Sequence, residues 1–307
     1  MSGAAFYCMS SEVYFLGAIG LINSLRLVGH EEPIYLLDCG LAPAHRERLE
    51  AHVTVLDAPP DVPPYLLKTL APRAHPAEVM VLIDVDMVAT RSLAPLIERA
   101  ARGGVVAVKD RMDRFVPEWG SALDLGPVRR APYVSSGLVA LGGKEGAEVL
   151  ALVDDRLPRA DYERSWFGRD EPGYPLAYLD QDVLNAVIAA RLEPGRVEVL
   201  DPRLAPVPPL NELRVLDPAT LRCAYDDGVE PYVLHHFVVK PWLEPLYHGP
   251  YSQLLRRLWL GDDVAIPIAE EELPRRLRRG WPARIERRAV DVWDLGRWYA
   301  RRIRRRA

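Results

Sequence analysis

Stretches of apolar residues alternate along this chain with polar or Gly- and Pro-rich stretches, at lengths that predict a layered α/β fold. Ala4 to Met9 is nearly all apolar and short enough for a buried strand. Ser10 and Ser11 follow where a helix N-cap is expected, and an apolar-rich helix runs from Val13 to Val28. After Pro33 come a strand from Ile34 to Asp38, a helix from about Pro43 to His52, and a strand from Val53 to Leu56. Strand–helix–strand–helix–strand is the signature of a parallel sheet. Pro-rich loops fill Ala58 to Pro64, and a helix from about Tyr65 to Arg73 leads to Val79–Ile83, five apolar residues that read as a strand buried on both faces. Thr90 to Ala101 reads as a helix with Leu93, Leu96 and Ile97 on one face. Val105 to Val108 and Tyr133 to Leu141 read as strands, the second interrupted by small residues. Gln181 to Ala190 is a helix opened by Asp180, and Tyr232 to Val239 a late strand. There is no internal repeat.

Composition adds three things. With 307 residues, 49% of them hydrophobic, the chain can build a large core. The net charge of −4 hides an uneven distribution: from Arg275 to Ala307 there are thirteen Arg against three acids, so the remainder is clearly acidic. We expect a body over residues 1–250 and a helical, Arg- and Trp-rich extension over 251–307. Only the extension is basic, so the body is not built to track nucleic-acid phosphates. In the extension Trp281, Trp293, Trp298 and Tyr299 are interleaved with Arg, and a helix from about Val290 groups Val292, Leu295, Trp298 and Ile303, which suits peripheral contact with an anionic membrane. The third point is location. Cys8, Cys39 and Cys223 have no metal-like spacing and fit a reducing cytoplasm. No N-terminal stretch has a signal-peptide pattern. Val13–Leu27, interrupted by Asn23 and Ser24, is too short to span a bilayer. The expected place is the cytoplasm, at most against the inner face of a membrane.

The chemistry concentrates where the buried strand Val79–Ile83 stops at Asp84-Val85-Asp86. In an open α/β sheet, ligands bind beyond the carboxyl ends of the strands. Two carboxylates one residue apart on a bend can face one hard cation, and Mg²⁺ or Mn²⁺ held this way keeps positions open for phosphates. Asp-x-Asp alone is common, and Asp also caps helices. Three other strings add weight. Asp180-Gln181-Asp182 opens a helix with more polar groups than a cap needs. Leu234-His235-His236-Phe237 is followed by Lys240-Pro241-Trp242, which can add an imidazole ligand and a point charge for a diphosphate. Tyr133-Val134-Ser135-Ser136-Gly137 puts small polar residues inside a strand, where a bulge or a close backbone approach is expected.

In this order, from about Phe6 to Trp242, these strings resemble glycosyltransferase family 8, whose members have the GT-A fold, a Rossmann-like nucleotide-sugar-binding α/β fold with a mostly parallel central sheet. The resemblance implies a nucleotide-sugar donor, usually a UDP-sugar, with Mn²⁺, a glycan, lipid or small-molecule acceptor, and retention of configuration. It implies that Asp84 and Asp86 hold the metal, with His236 or else His235 as third ligand, and that Lys240 binds the diphosphate. Asp110 would bind the sugar, and Asp180 and Gln181 would flank the reacting carbon. Met9, Ser10, Ile83, Val85, Ser135 and Ser136 would line the donor, Tyr14 would stack on the base, and Lys68 is a further donor contact. The chain departs from the family pattern in two places: His236 is too close to Lys240 with no Gly between them, and Ser135 stands where Asn is usual. Two other readings stay open, a sugar-phosphate nucleotidyltransferase and a nucleotide-sugar-binding protein without turnover.

Overall fold

The computed structural model of the chain describes residues 3–208, 210, 212–237, 240–243, 249–280 and 285. In chain order the strands are β1 (Ala4–Ser10), β2 (Ile34–Asp38), β3 (Thr54–Asp57), β4 (Val79–Ile83), β5 (Met87–Ala89), β6 (Gly104–Lys109), β7 (Val134–Gly142), β8 (Val197–Leu200), β9 (Leu213–Asp217), β10 (Arg222–Tyr225) and β11 (Val233–His235). The α-helices are α1 (Phe15–Leu27), α2 (Pro43–Glu50), α3 (Leu70–Ala74), α4 (Ala94–Ala100), α5 (Trp119–Ala122), α6 (Gly143–Arg156), α7 (Asp180–Arg191) and α8 (Pro250–Leu260). Two compact units emerge. The first takes residues 31–85 and 93–205 together with the start of the chain to Val13; the second takes residues 14–30, 86–92 and the described residues after Ala205.

The first unit is built on a seven-stranded sheet in the order β3-β2-β1-β4-β7-β6-β8. β1, β2, β3 and β4 pair in parallel, as do β6 and β8, while β7 runs antiparallel to both β4 and β6. Every residue of β4 is buried, as a strand covered on both faces requires. The β6–β7 register shifts between Ala107 and Lys109, so the irregularity expected near Ser135–Gly137 is present in the ladder they share. Gly142 ends β7 where a Cβ would stand 1.9 Å from the carbonyl oxygen of Ala100, which restricts the position to glycine.

The second unit packs α1 against α8. Asn23, fully buried on α1, donates from Nδ2 to the carbonyls of Leu258 and Ile266, both at 2.8 Å, and accepts from the Ile266 amide at 2.8 Å. Trp259 Nε1 donates to the Leu16 carbonyl at 2.8 Å. Ser24 Oγ accepts from the Ala89 amide at 2.9 Å, which ties α1 to β5. The two polar residues that interrupt the apolar stretch of α1 are therefore its tertiary fasteners. β5 pairs antiparallel with β11, and β9 with β10.

Several expected elements shift. Ser10 and Ser11 do not cap α1: a 3₁₀ turn, Glu12–Tyr14, comes first, and the helix begins at Phe15. The helix expected from Tyr65 to Arg73 is a 3₁₀ turn, Pro64–Leu66, followed by the short α3. Pro72 is the reason, since proline fits only in a first turn, where no N–H partner is needed. Pro95 likewise delays the helix expected from Thr90 until Ala94; residues 87–89, ahead of it and given no element by the sequence, form β5. The late strand is the three-residue β11; Val238 and Val239 lie outside the described residues, as does the tail helix expected from Val290. No helix among the described residues is long and apolar enough to cross a membrane.

Candidate active site

β1 and β4 run parallel side by side, so their carboxyl ends bring Met9 and Ser10 to the same sheet edge as Ile83 and Asp84. A small open cleft lies there, lined by Cys8, Met9, Leu37, Lys68, Ile83 and Asp84 among others. Lys68 is the centre of the polar cluster in the first unit. Its Nζ lies 3.0 Å from Asp84 Oδ1, 3.2 Å from Asp180 Oδ2 and 3.4 Å from Ser136 Oγ. Burial opposes its charge, but the Asp84 and Asp180 carboxylates outweigh burial and hold its pKa above the usual lysine range. Cys8 shows the opposite balance: burial and the charge of Asp84 push its thiol up to about 12.

From Asp180 the network continues along α7. The Gln181 carboxamide accepts from the Ser136 amide at 3.1 Å and donates to Asp110 Oδ2 at 3.3 Å. Asp110 Oδ1 accepts from the Met112 amide at 2.8 Å. Ser135 Oγ accepts locally from the Gly137 amide at 3.2 Å. Asp182 has a different task. It is fully buried and accepts from Arg114 Nε, the Tyr133 hydroxyl and the Tyr178 amide, each at 2.8 Å. Burial raises its carboxyl pKa more than these donors lower it. The Asp180-Gln181-Asp182 string is thus more than a helix cap: no side chain caps α7, Asp180 meets Lys68, Gln181 bridges Asp110 to β7, and Asp182 fastens the helix. Immediately before Asp180, Leu179 has φ of 47° and ψ of −118°, a sparsely populated backbone conformation costing a non-glycine residue roughly 1–3 kcal/mol.

The Asp-x-Asp string straddles the division of the chain, with Asp84 in the first unit and Asp86 in the second. Within the second unit, His235 pairs with Met87 in the β11–β5 ladder, which carries its ring to the neighbouring Asp86. Asp86 is 8% exposed. Its Oδ2 accepts from Lys240 Nζ, and its Oδ1, buried and without a hydrogen bond, lies 3.3 Å from His235 Nε2. Burial alone would raise the Asp86 pKa; His235 and Lys240 together hold it well below the usual carboxylate range. Lys240 also donates to the carbonyls of His236 and Phe237, both at 2.6 Å, so all three ammonium protons are engaged. His236 is turned to other work. Its amide donates to the Asp86 carbonyl at 3.0 Å, and its ring packs on Tyr251 with centroids 4.7 Å apart. The Tyr251 hydroxyl donates to the same Asp86 carbonyl at 2.8 Å. Tyr14 meets Trp242 edge-on at 6.5 Å, with Lys240 Nζ 5.7 Å from its ring centre. Val85 is buried between the two carboxylates in sequence.

Sequence reasoning missed Arg114 and Tyr251. Arg114 holds Asp182 from a loop with no motif of its own, and nothing in local pattern separates Tyr251 from any aromatic at a helix start.

No family model matches the chain, and no curated protein matches it in sequence. Solved structures do share its architecture, and they define it as a GT-A glycosyltransferase fold. An active-site mutant of LgtC superposes with a TM-score of 0.54 at 18% identity, covering 87% of this chain and 98% of that one. The galactosyltransferase LgtC in complex with donor and acceptor sugar analogues gives 0.50 at 17% identity, covering 83% and 93%. The bifunctional glycosyltransferase WbbM, in its apo form, gives 0.53 at 17% identity, covering 86% of this chain and 50% of that one.

Proposed function

We propose that the chain is a glycosyltransferase that moves a sugar from a nucleotide-sugar, with a UDP-sugar as the donor and a glycan as the acceptor, using Mn²⁺ or Mg²⁺ held by Asp84, Asp86 and His235. The observation that carries this reading is the buried Asp86 carboxylate, whose Oδ1 lies 3.3 Å from the His235 imidazole nitrogen. Carboxylate oxygen with imidazole nitrogen is a donor set that suits Mn²⁺. Asp84, two residues before Asp86 in the chain, adds a second carboxylate. His235 replaces His236 as the favoured third ligand, because His236 packs on Tyr251. A divalent ion bound here would supply positive charge against a departing nucleoside diphosphate.

The chain's own residues do the rest. Lys68 places a fixed positive charge between Asp84 and Asp180. Asp110 and Gln181 form a hydrogen-bonded pair for orienting sugar hydroxyls, and Asp180 faces the reacting carbon beside them. Met9, Ser10, Ile83 and Val85 border the donor, and Ser136 fixes Gln181. Preorganised groups aimed at developing charge are often the largest catalytic contribution. We further propose retention of configuration, on the resemblance alone.

Donor turnover by Asp86→Ala at saturating Mn²⁺ tests the metal role. The expected loss is about 100-fold or more, the scale of removing one preorganised charge contact; near-normal turnover overturns it. One observation favours a second reading, a chain that binds nucleotide-sugar without turnover: Lys240 spends all its donors inside its own unit and has none left for a diphosphate. Nucleotide binding without any donor hydrolysis or transfer would establish that reading.

A further inference from the structure

The loop between α6 and α7 holds large aromatic side chains in solvent. Tyr162 is 43% exposed, Trp166 44% and Phe167 42%. Only one other aromatic residue, Phe237, is exposed to this degree among the described residues, so the exposure is concentrated in six consecutive positions. The loop beneath them is tightly built. Ser165 is fully buried, and its amide and hydroxyl both donate to the Tyr162 carbonyl, at 3.1 and 2.7 Å. The Trp166 amide donates to the Ala177 carbonyl at 2.9 Å. Arg164 grips Glu171 with two bonds of 2.9 and 2.8 Å and lies over the Tyr174 ring. At Gly168 a Cβ would fall 2.4 Å from the Tyr162 carbonyl oxygen, so only glycine fits the turn. The aromatic faces are therefore presented by a preorganised scaffold, which removes much of the ordering cost of binding.

The platform is continuous with the active site. Tyr162 stacks on Tyr65 at 5.7 Å, and Trp166 packs against Tyr178 at 6.1 Å, two residues before Asp180. Flat aromatic faces rimmed by polar groups bind pyranose rings: the C–H faces of the sugar pack on the π surface while its hydroxyls reach the rim. Other occupants fit less well. Three half-exposed rings offer on the order of 300 Å², far less than the roughly 800 Å² per partner of a stable interface. The rim carries Asp161, Glu163, Asp170 and Glu171 against Arg164 and Arg169, a balance that repels anionic lipid.

We infer that Tyr162, Trp166 and Phe167 form a subsite that stacks a neutral pyranose ring of a glycan acceptor beside Asp180. This rests on the glycosyltransferase reading. The test is retention of the full chain on an array of neutral oligosaccharides, comparing wild type, the double variant Trp166→Ala with Phe167→Ala, and the conservative double variant Trp166→Tyr with Phe167→Tyr. The expected result is selective retention by wild type, loss of about ten-fold or more when both rings are removed, and retention by the conservative variant, whose π faces remain. That last arm separates loss of stacking from loss of fold. The inference is overturned if wild type retains no glycan, or if the alanine variant retains as much. It is equally overturned if wild type sediments as a dimer, or binds anionic vesicles, in a way the alanine variant abolishes. Nucleotide binding and donor turnover of wild type, measured in parallel, tell a failure of the subsite from a failure of the function: glycan retention can be lost with turnover intact.

Discussion

At the scale of single residues, the decisive feature is the cation already built into the second unit. Lys240 is 5% exposed and neutralises Asp86, which is itself buried. Removing one partner of such a pair strands the other, at about 3–5 kcal/mol. Lys240→Met should therefore lower the unfolding free energy by about that amount, read from urea denaturation, whereas a lysine that served only a diphosphate would leave stability unchanged. The string Lys-Pro-Trp is legible in the sequence; that its ammonium is spent on Asp86 and two carbonyls is not, because hydrogen-bond partners are set by tertiary contact. The choice between His235 and His236 is similar. Strand parity says that adjacent side chains face opposite ways, and only the β11–β5 register says which one meets Asp86. The thiols give a second prediction. Burial is the main cause that pushes Cys8 and Cys223 up to about 12 and Cys39 up to about 11. At pH 8 the folded chain should react slowly with a disulfide reagent, and all three thiols should react promptly in urea. The folded-state pKa values lie above the unfolded value of about 8.5, so the unfolded state loses these protons first as pH rises. The stability these groups contribute is complete below about pH 8.5 and lost progressively toward pH 12, which urea midpoints at pH 7 and pH 10 will detect as a lower midpoint at the higher pH.

At the scale of elements, side chains that look like blemishes in an apolar pattern turn out to fix the packing. Asn23 breaks the hydrophobic run of α1, and it satisfies two carbonyls and one amide at the far end of α8 and beyond it. Each buried group left unsatisfied costs about 1–3 kcal/mol, so Asn23→Ala should destabilise the chain by about 3 kcal/mol or more in urea denaturation. A change below 1 kcal/mol would mean that water replaces the amide. The parallel half of the sheet was legible because each of its strands is a short apolar run between clear breakers. α6 was not, since it opens at Gly142-Gly143, which reads as a loop; Val149, Leu150 and Val153 nevertheless bury one face of it. β5, β9 and β10 are too short for periodicity to distinguish them, and they form because partners elsewhere in the chain complete their ladders; β11 keeps only part of the late strand that the apolar run from Tyr232 announces. The tasks of Asp180, Gln181 and Asp182 lie between these cases. Their density of polar groups marks the start of α7, but their division between Lys68, Asp110 and Arg114 needed the fold.

At the scale of the whole molecule, the fold is held in common with glycosyltransferases at 17–18% identity, so architecture cannot identify the donor and binding must. A ligand that binds the folded chain alone stabilises it by RT ln(1 + [L]/Kd), about 2.7 kcal/mol at a hundredfold excess over Kd. For a chain of this size that corresponds to a rise of roughly 5 °C in Tm. The carboxylates Asp84 and Asp86 make a further demand. Without a divalent ion, a diphosphate would meet carboxylates whose cations are already spent, Lys240 on Asp86 and Lys68 shared between Asp84 and Asp180. Nucleotide binding should therefore require the metal. In a melting series with UDP, GDP, CMP and dTDP, UDP with Mn²⁺ should raise Tm in proportion to the logarithm of its concentration, and the same nucleotide in chelator should not. Mn²⁺ alone should give a smaller rise that Asp86→Ala removes. Equal shifts with and without chelator would detach the carboxylate pair from the donor. A larger shift with another base would keep the site and change the donor, because the Asp-x-Asp group handles the diphosphate and is indifferent to the base.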